Sequence, residues 1–91
     1  MHILGKKRLR EFCQLHADGS NAIYNWYRVA SKASWQSAAE MQSTYPKAEV
    51  LDHQVTFTIK ESQYRLTVDI FYPTQRIYVK QVLRNRNESR V

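Results

Sequence analysis

Between Gln54 and Leu83 the chain alternates apolar and polar residues in three runs separated by two short turns, and this stretch constrains the fold more than any other. Val55, Phe57 and Ile59 alternate with Gln54, Thr56, Thr58 and Lys60, the period of two that a strand with one buried face requires. A turn follows at Glu61, Ser62 and Gln63. The next run puts Tyr64, Leu66, Val68, Ile70 and Tyr72 on one face and Arg65, Thr67 and Asp69 on the other, with Phe71 out of pattern. Pro73-Thr74-Gln75 makes the second turn, because Pro presets the φ of a turn's second position and cannot donate to a ladder. In the third strand, Arg76 to Leu83, Ile77 and Val79 continue the buried row. Tyr78 and Lys80 share the face of Arg65, and Gln81 falls at a buried parity, where the pattern weakens.

A three-stranded meander with one apolar face needs a cover, and the residues before it supply one. Met1 to Leu4 reads as a short strand that adds to the meander, with Gly5 as a break. From Lys6, the positions Leu9, Phe12, Cys13 and His16 form the stripe of an amphipathic helix that turns Lys6, Lys7, Arg10 and Gln14 outward. Asp18-Gly19-Ser20 ends it. Ser20 or Asn21 caps a second helix, in which Ile23, Trp26, Tyr27 and Ala30 repeat at three and four and which runs to about Ala33. Ser37 and Glu40 have the spacing of a capping box, so a third helix covers Ala38 to Thr44 and stops before Pro46. Glu49 to Leu51 begins the sheet, and Asp52-His53 turns into the first meander strand. The expected fold is α+β, with two to three N-terminal helices packed on one face of a small, mainly antiparallel sheet. The opposite face carries Thr56, Thr58, Lys60, Arg65, Thr67, Asp69, Tyr78, Lys80 and, past the strand end, Arg84.

A chain of 91 residues makes one domain, spanning residues 1–91, with a single modest core. One cysteine, Cys13, and three scattered histidines argue against both a disulfide framework and a zinc site. No signal peptide or membrane span is legible, and the expected location is the cytoplasm. The net charge of +6 is unevenly placed: residues 1–10 carry Lys6, Lys7, Arg8 and Arg10 with no acid, and residues 84–91 carry Arg84, Arg86 and Arg90 against Glu88. The middle of the chain has seven bases and seven acids. Two readings fit this excess: a basic surface for a phosphate backbone, if the fold brings the ends to one side, or charge that keeps a small domain soluble.

A sheet face with cations, hydroxyls and rings suits phosphates and bases, since guanidinium forks hold phosphate oxygens and rings stack on splayed nucleotides. Arg65, beside the turn and next to Lys60, is the leading single candidate; the plainer reading is a surface Arg paired with Glu61 or Asp69. Lys60 and Lys80 have the same two readings. With only Gly5 and Gly19 there is no phosphate-cradling loop, and no nucleophile elbow or paired carboxylates stand out. Ser62 reads as a turn former and Cys13 as core. His53 has no evident catalytic partner.

The opening Met1-His2-Ile3, the runs Asn25-Trp26-Tyr27-Arg28, Lys32-Ala33-Ser34-Trp35 and Ser37-Ala38-Ala39-Glu40, then Tyr45-Pro46, and finally Val55-x-Phe57-x-Ile59-Lys60 followed by Tyr64-Arg65-Leu66 resemble the HigB-type toxins of bacterial type II toxin–antitoxin modules, within the RelE/ParE superfamily. The likeness spans residues 1 to about 83. It implies a RelE-like fold and a metal-independent endoribonuclease, without cofactor, that cuts mRNA in the ribosomal A site. It also implies inhibition by a helix-turn-helix antitoxin of the HigA type. In such enzymes the messenger's 2′-hydroxyl attacks the adjacent phosphate while basic residues stabilise the developing charge. Arg65 matches the Arg of the superfamily's Tyr-Arg-Leu motif and Lys60 the Lys before the turn. The basic first helix, with Lys6, Lys7, Arg8 and Arg10, faces ribosomal RNA on this reading, and Tyr78 and Lys80 extend the RNA-binding face.

The chain departs from the pattern at its end. HigB-type toxins commonly close with a segment reading roughly Thr-His-x-Glu-Tyr-Asp, whereas here the stretch is Arg84-Asn85-Arg86-Asn87-Glu88-Ser89-Arg90. Asn85 falls where the His would be and relays no proton at neutral pH. Either Arg84 and Arg86 supply electrostatic catalysis, or the chain is a weakened toxin that retains its RNA and antitoxin surfaces. A ParE-like inhibitor of DNA gyrase is the further alternative, since one fold hosts both activities.

Overall fold

In chain order the elements are β1 (His2–Leu4), α1 (Lys6–Leu15), a short 3-10 turn (Ala17–Gly19), α2 (Ser20–Lys32), α3 (Ala38–Thr44), β2 (Glu49–Leu51), β3 (Gln54–Ile59), β4 (Tyr64–Phe71) and β5 (Arg76–Arg84). This is a computed structural model, and it describes residues 1–59 and 63–84. The five strands form one sheet in the order β1-β5-β4-β3-β2, antiparallel except for β1, which runs parallel to β5. The α+β architecture expected from the patterning is the one observed.

The three runs pair as a meander with their apolar faces together, Val55 opposite Val68, Phe57 opposite Leu66 and Ile70 opposite Ile77. All six side chains are buried on the helix side. One irregularity interrupts the ladder. Thr67 pairs with Gln81 but Val68 pairs with Val79, so Lys80 is the extra residue of a β-bulge. The bulge inverts the parity of the last part of β5, which explains why Gln81 breaks the apolar alternation. Val82 returns to the inner face opposite Leu66, and Leu83 lies opposite Arg65.

The helices cover the inner face as their stripes require. Leu9, Phe12 and Cys13 of α1 and Ile23, Trp26 and Ala30 of α2 are buried, with Trp26 set against Phe57 at 5.4 Å between ring centroids. Two local expectations need correction. Ser20 does not cap α2; its Oγ donates to the Ala17 carbonyl at 2.9 Å and closes the 3-10 turn, while Gly19 precedes the helix. Ser37 caps α3 by accepting from the Glu40 amide, but the Glu40 carboxylate reaches the amide of Gln36, one residue beyond a regular capping box. The amine of Met1 donates to the carbonyls of Ala30, Ser31 and Ala33, satisfying the open C-terminal end of α2.

Gly5 turns the chain out of β1 into α1. Its φ of 90° lies in the left-handed region, and a Cβ there would sit 3.1 Å from the Val79 carbonyl oxygen, so both conformation and space call for glycine. The turn pins α1 against β5. The N-terminal elements thus lie beside the last strand.

Candidate nucleic-acid interface on the open sheet face

The face of the sheet turned away from the helices is open and mixed in character. At one corner, where β3 leads toward β4 and β5 ends, Ile59 pairs with Tyr64 and Tyr64 with Arg84. Arg65 follows Tyr64 and points to the open side, between Thr58 of β3 and Leu83 of β5. Its guanidinium donates to the Glu49 carboxylate of β2 at 3.0 Å. The partners expected from sequence are Glu61 or Asp69; Glu61 lies outside the described residues, and Asp69 instead meets Lys80 at 3.6 Å. The Arg65 side chain is 43% exposed and that of Glu49 69%, so their pairing is a solvated one, worth about 0–1 kcal/mol. An incoming phosphate exchanges easily with such a partner.

The underside of this corner is held by Tyr64, buried among Phe12, His16 and Gly19. Its ring stands edge-on to Phe12 at 4.9 Å, and its hydroxyl donates to the Asp18 carboxylate, whose oxygens lie 2.8 and 2.9 Å away. Gly19 makes room for the ring, since a Cβ there would stand 2.8 Å from Tyr64 Cε2. Sequence patterning alone reads Tyr64 as plain core. No spacing in the sequence singles out its hydroxyl, since Tyr72 shares the same row and its own hydroxyl has no partner among the described residues.

The other residues singled out from sequence divide between the two sides. Tyr78 lies on the open face, 37% exposed, with its ring edge-on to Phe71 at 5.6 Å. Lys80 occupies the bulge and is tied to Asp69. Arg84, placed on the Arg65 face by simple alternation, has instead the parity of Tyr64, because the bulge shifts it; it is exposed on the helix side of the sheet. Lys6, Lys7, Arg8 and Arg10 are exposed on α1, which packs on β5 from that same side, with Lys6 Nζ 5.8 Å from the centre of the Tyr27 ring. The geometry therefore groups Arg84 with the basic helix and separates both from Arg65. Lys60 and Arg86, and Asn85 with them, lie outside the described residues. Burial pushes the Cys13 thiol up, against a smaller lowering by a hydrogen bond with Tyr24, in keeping with a core role. Among the described residues, no three His, Cys, Asp or Glu side chains come together as metal ligands would. Among the same residues, no helix is long and apolar enough to cross a membrane.

The family model HigB_toxin, described as the RelE-like toxic component of a toxin-antitoxin system, matches residues 19–86 of this chain. The chain belongs to the HigB toxin family. The match takes in α2, α3, β2 to β5 and the Arg65 corner, so the open face is part of the family's own sheet. A search of curated protein sequences finds no match to the chain. Membership makes this HigB-family protein a toxin of a toxin–antitoxin system, with an antitoxin as its partner.

Proposed function

We propose that this toxin is a ribosome-dependent mRNA endonuclease that stops translation, works in the cytoplasm and is held inactive by a HigA-type helix-turn-helix antitoxin. The observation that carries the reading is the Arg65 guanidinium, turned to the open sheet face at the hairpin corner and held there by a solvated carboxylate. A messenger phosphate displaces Glu49 and is gripped through the planar fork of Arg65, which matches two phosphate oxygens. The messenger's 2′-hydroxyl then attacks the adjacent phosphorus and the bond to the 5′-oxygen breaks, leaving a 2′,3′-cyclic phosphate and a 5′-hydroxyl. Arg65 stabilises the charge on the phosphoryl oxygens in the transition state, a role worth about 10²–10³ in rate for one well-placed donor.

Lys60 adds to the same charge, and Arg86 and, from the helix side of the sheet, Arg84 supply further positive potential. The carboxylate of Glu49, released beside Arg65, takes the hydroxyl proton in place of the family's His, and solvent water protonates the departing 5′-oxygen. Metal takes no part in this scheme. The cations of α1 face ribosomal RNA, a division of labour supported by their lying on the helix side, away from Arg65. Tyr78 and Lys80 contact the messenger on the open face.

The weakened-toxin reading has one observation of its own, Asn85 and Glu88 where the family has its His and Tyr region. Induction of the chain in bacteria with primer extension on translated messages separates the two. New 5′ ends in translated regions, together with growth arrest, are expected of the nuclease. Intact messages with soluble, folded protein would replace it by the binding reading, and inhibition of gyrase supercoiling by the purified chain would replace both.

A further inference from the structure

Phe71 breaks the alternation of its strand, and it opens onto the outward face at the end of β4 far from Arg65. It is not alone there. The His53 ring stacks on it with centroids 4.9 Å apart and planes 29° apart, and Tyr78 stands edge-on to it at 5.6 Å and 80°. The carbonyl of His53 accepts from the Ile70 amide at 2.8 Å, tying the β2–β3 turn to β4 and setting the imidazole over Phe71. Phe71, Tyr78, Pro73, Thr74 and Arg76 line an open depression of about 430 Å³. Arg76 pairs with Phe71 across β4 and β5 and with His2 across β1 and β5, and the side chains of Arg76 and His2 are exposed.

We propose that this corner is a base-stacking platform for single-stranded RNA, with Phe71, Tyr78 and His53 as the rings and Arg76 as the phosphate partner. Rings on an open sheet accept bases irrespective of sequence, because every base offers a π-face, and a neighbouring guanidinium holds the backbone that the stacked base brings with it. Two features select RNA over an apolar protein segment. The depression is edged by the exposed guanidinium of Arg76, and the platform is continuous with the strip of β4 that carries Arg65. Phe71 lies six positions from Arg65, about 20 Å of strand, the length of about six nucleotides of a helically stacked strand and fewer of an extended one. The inference rests on the nuclease reading only in taking the bound strand to be the messenger gripped at Arg65.

The test uses the full chain with Arg65→Ala, so that the probe survives, and a fluorescent RNA decamer carrying one 5-iodouridine. The platform predicts photo-crosslinks to Phe71 or Tyr78, located by mass spectrometry. It also predicts an affinity about 5- to 100-fold weaker in Phe71→Leu and in Tyr78→Ser. Tyr78 is on the surface, so its variant keeps the test alive if Phe71→Leu fails to fold. Crosslinks only elsewhere, unchanged affinity in folded variants, or no binding of the decamer at low salt would overturn the proposal. It is equally overturned if the two variants lose only the protein antitoxin and bind RNA like the parent. Cleavage by the Arg65-intact chain is read in parallel. Crosslinking at the rings without cleavage removes the nuclease and leaves the platform, and cleavage without ring crosslinks does the reverse.

Discussion

Replacing Tyr64 by Phe tests whether the Arg65 corner is held from beneath by the bond to Asp18. Both carboxylate oxygens lie within 2.9 Å of the hydroxyl, but a hydroxyl has one proton, so the contact counts as a single charge-assisted bond. Such bonds contribute about 1.5–3 kcal/mol. Tyr64 is 1% exposed, whereas Asp18 is exposed, which places the loss near the lower end, about 1.5 kcal/mol. Phe keeps the ring against Phe12 and Gly19, so no cavity adds to this. For a domain of this size the melting temperature falls by about 6–12 °C, read by circular dichroism. A double-mutant cycle with Asp18→Asn isolates the pair and predicts a coupling of about 1 kcal/mol. A Tyr64→Phe protein that melts within about 2 °C of the parent, or a coupling near zero, refutes the reasoning.

Tyr72→Phe makes the opposite prediction, because the buried Tyr72 hydroxyl has no hydrogen-bond partner among the described residues. Its removal leaves stability unchanged or raises it by up to about 1 kcal/mol, and a loss as large as that of Tyr64→Phe contradicts the assignment. Gly5→Ala forces a Cβ into the left-handed region against the Val79 carbonyl and lowers stability by about 1–3 kcal/mol, measurable as a reduced urea midpoint; an unchanged midpoint argues against this reading of the β1–α1 turn. Burial raises Cys13 above its usual 9.0 and Tyr45 and Tyr72 above their usual 10.0. The folded state holds these groups neutral, so their contribution is whole below pH 9.0 and is lost as pH climbs past 10.0. Urea midpoints that stay flat from neutral pH through that window would contradict it.

The meander is legible because one buried face leaves a period-two signature in sequence, and α1, α2 and α3 because their stripes and breaks are local. What escapes depends on residues distant along the chain. The bulge at Lys80 adds one residue to β5 and leaves only the misplaced Gln81 as its trace, yet it decides that Arg84 belongs to the helix side. Glu49 reaches Arg65 because β2 and β4 flank β3, and Tyr64 meets Asp18 across 46 residues; no spacing rule encodes either contact. Of the candidate site, Arg65 therefore stands on the open face as its parity requires, its partner Glu49 is invisible to patterning, and the α1 cations and Arg84 form a separate group.

The most direct test of the nuclease account is single-turnover cleavage of a messenger on programmed ribosomes by the purified chain, beside Arg65→Ala. The account predicts a 5′-hydroxyl on the downstream fragment, a cyclic phosphate on the upstream one, and a rate about 10²–10³ lower in the variant. Equal rates in the two proteins, or no cleavage by either, would contradict it.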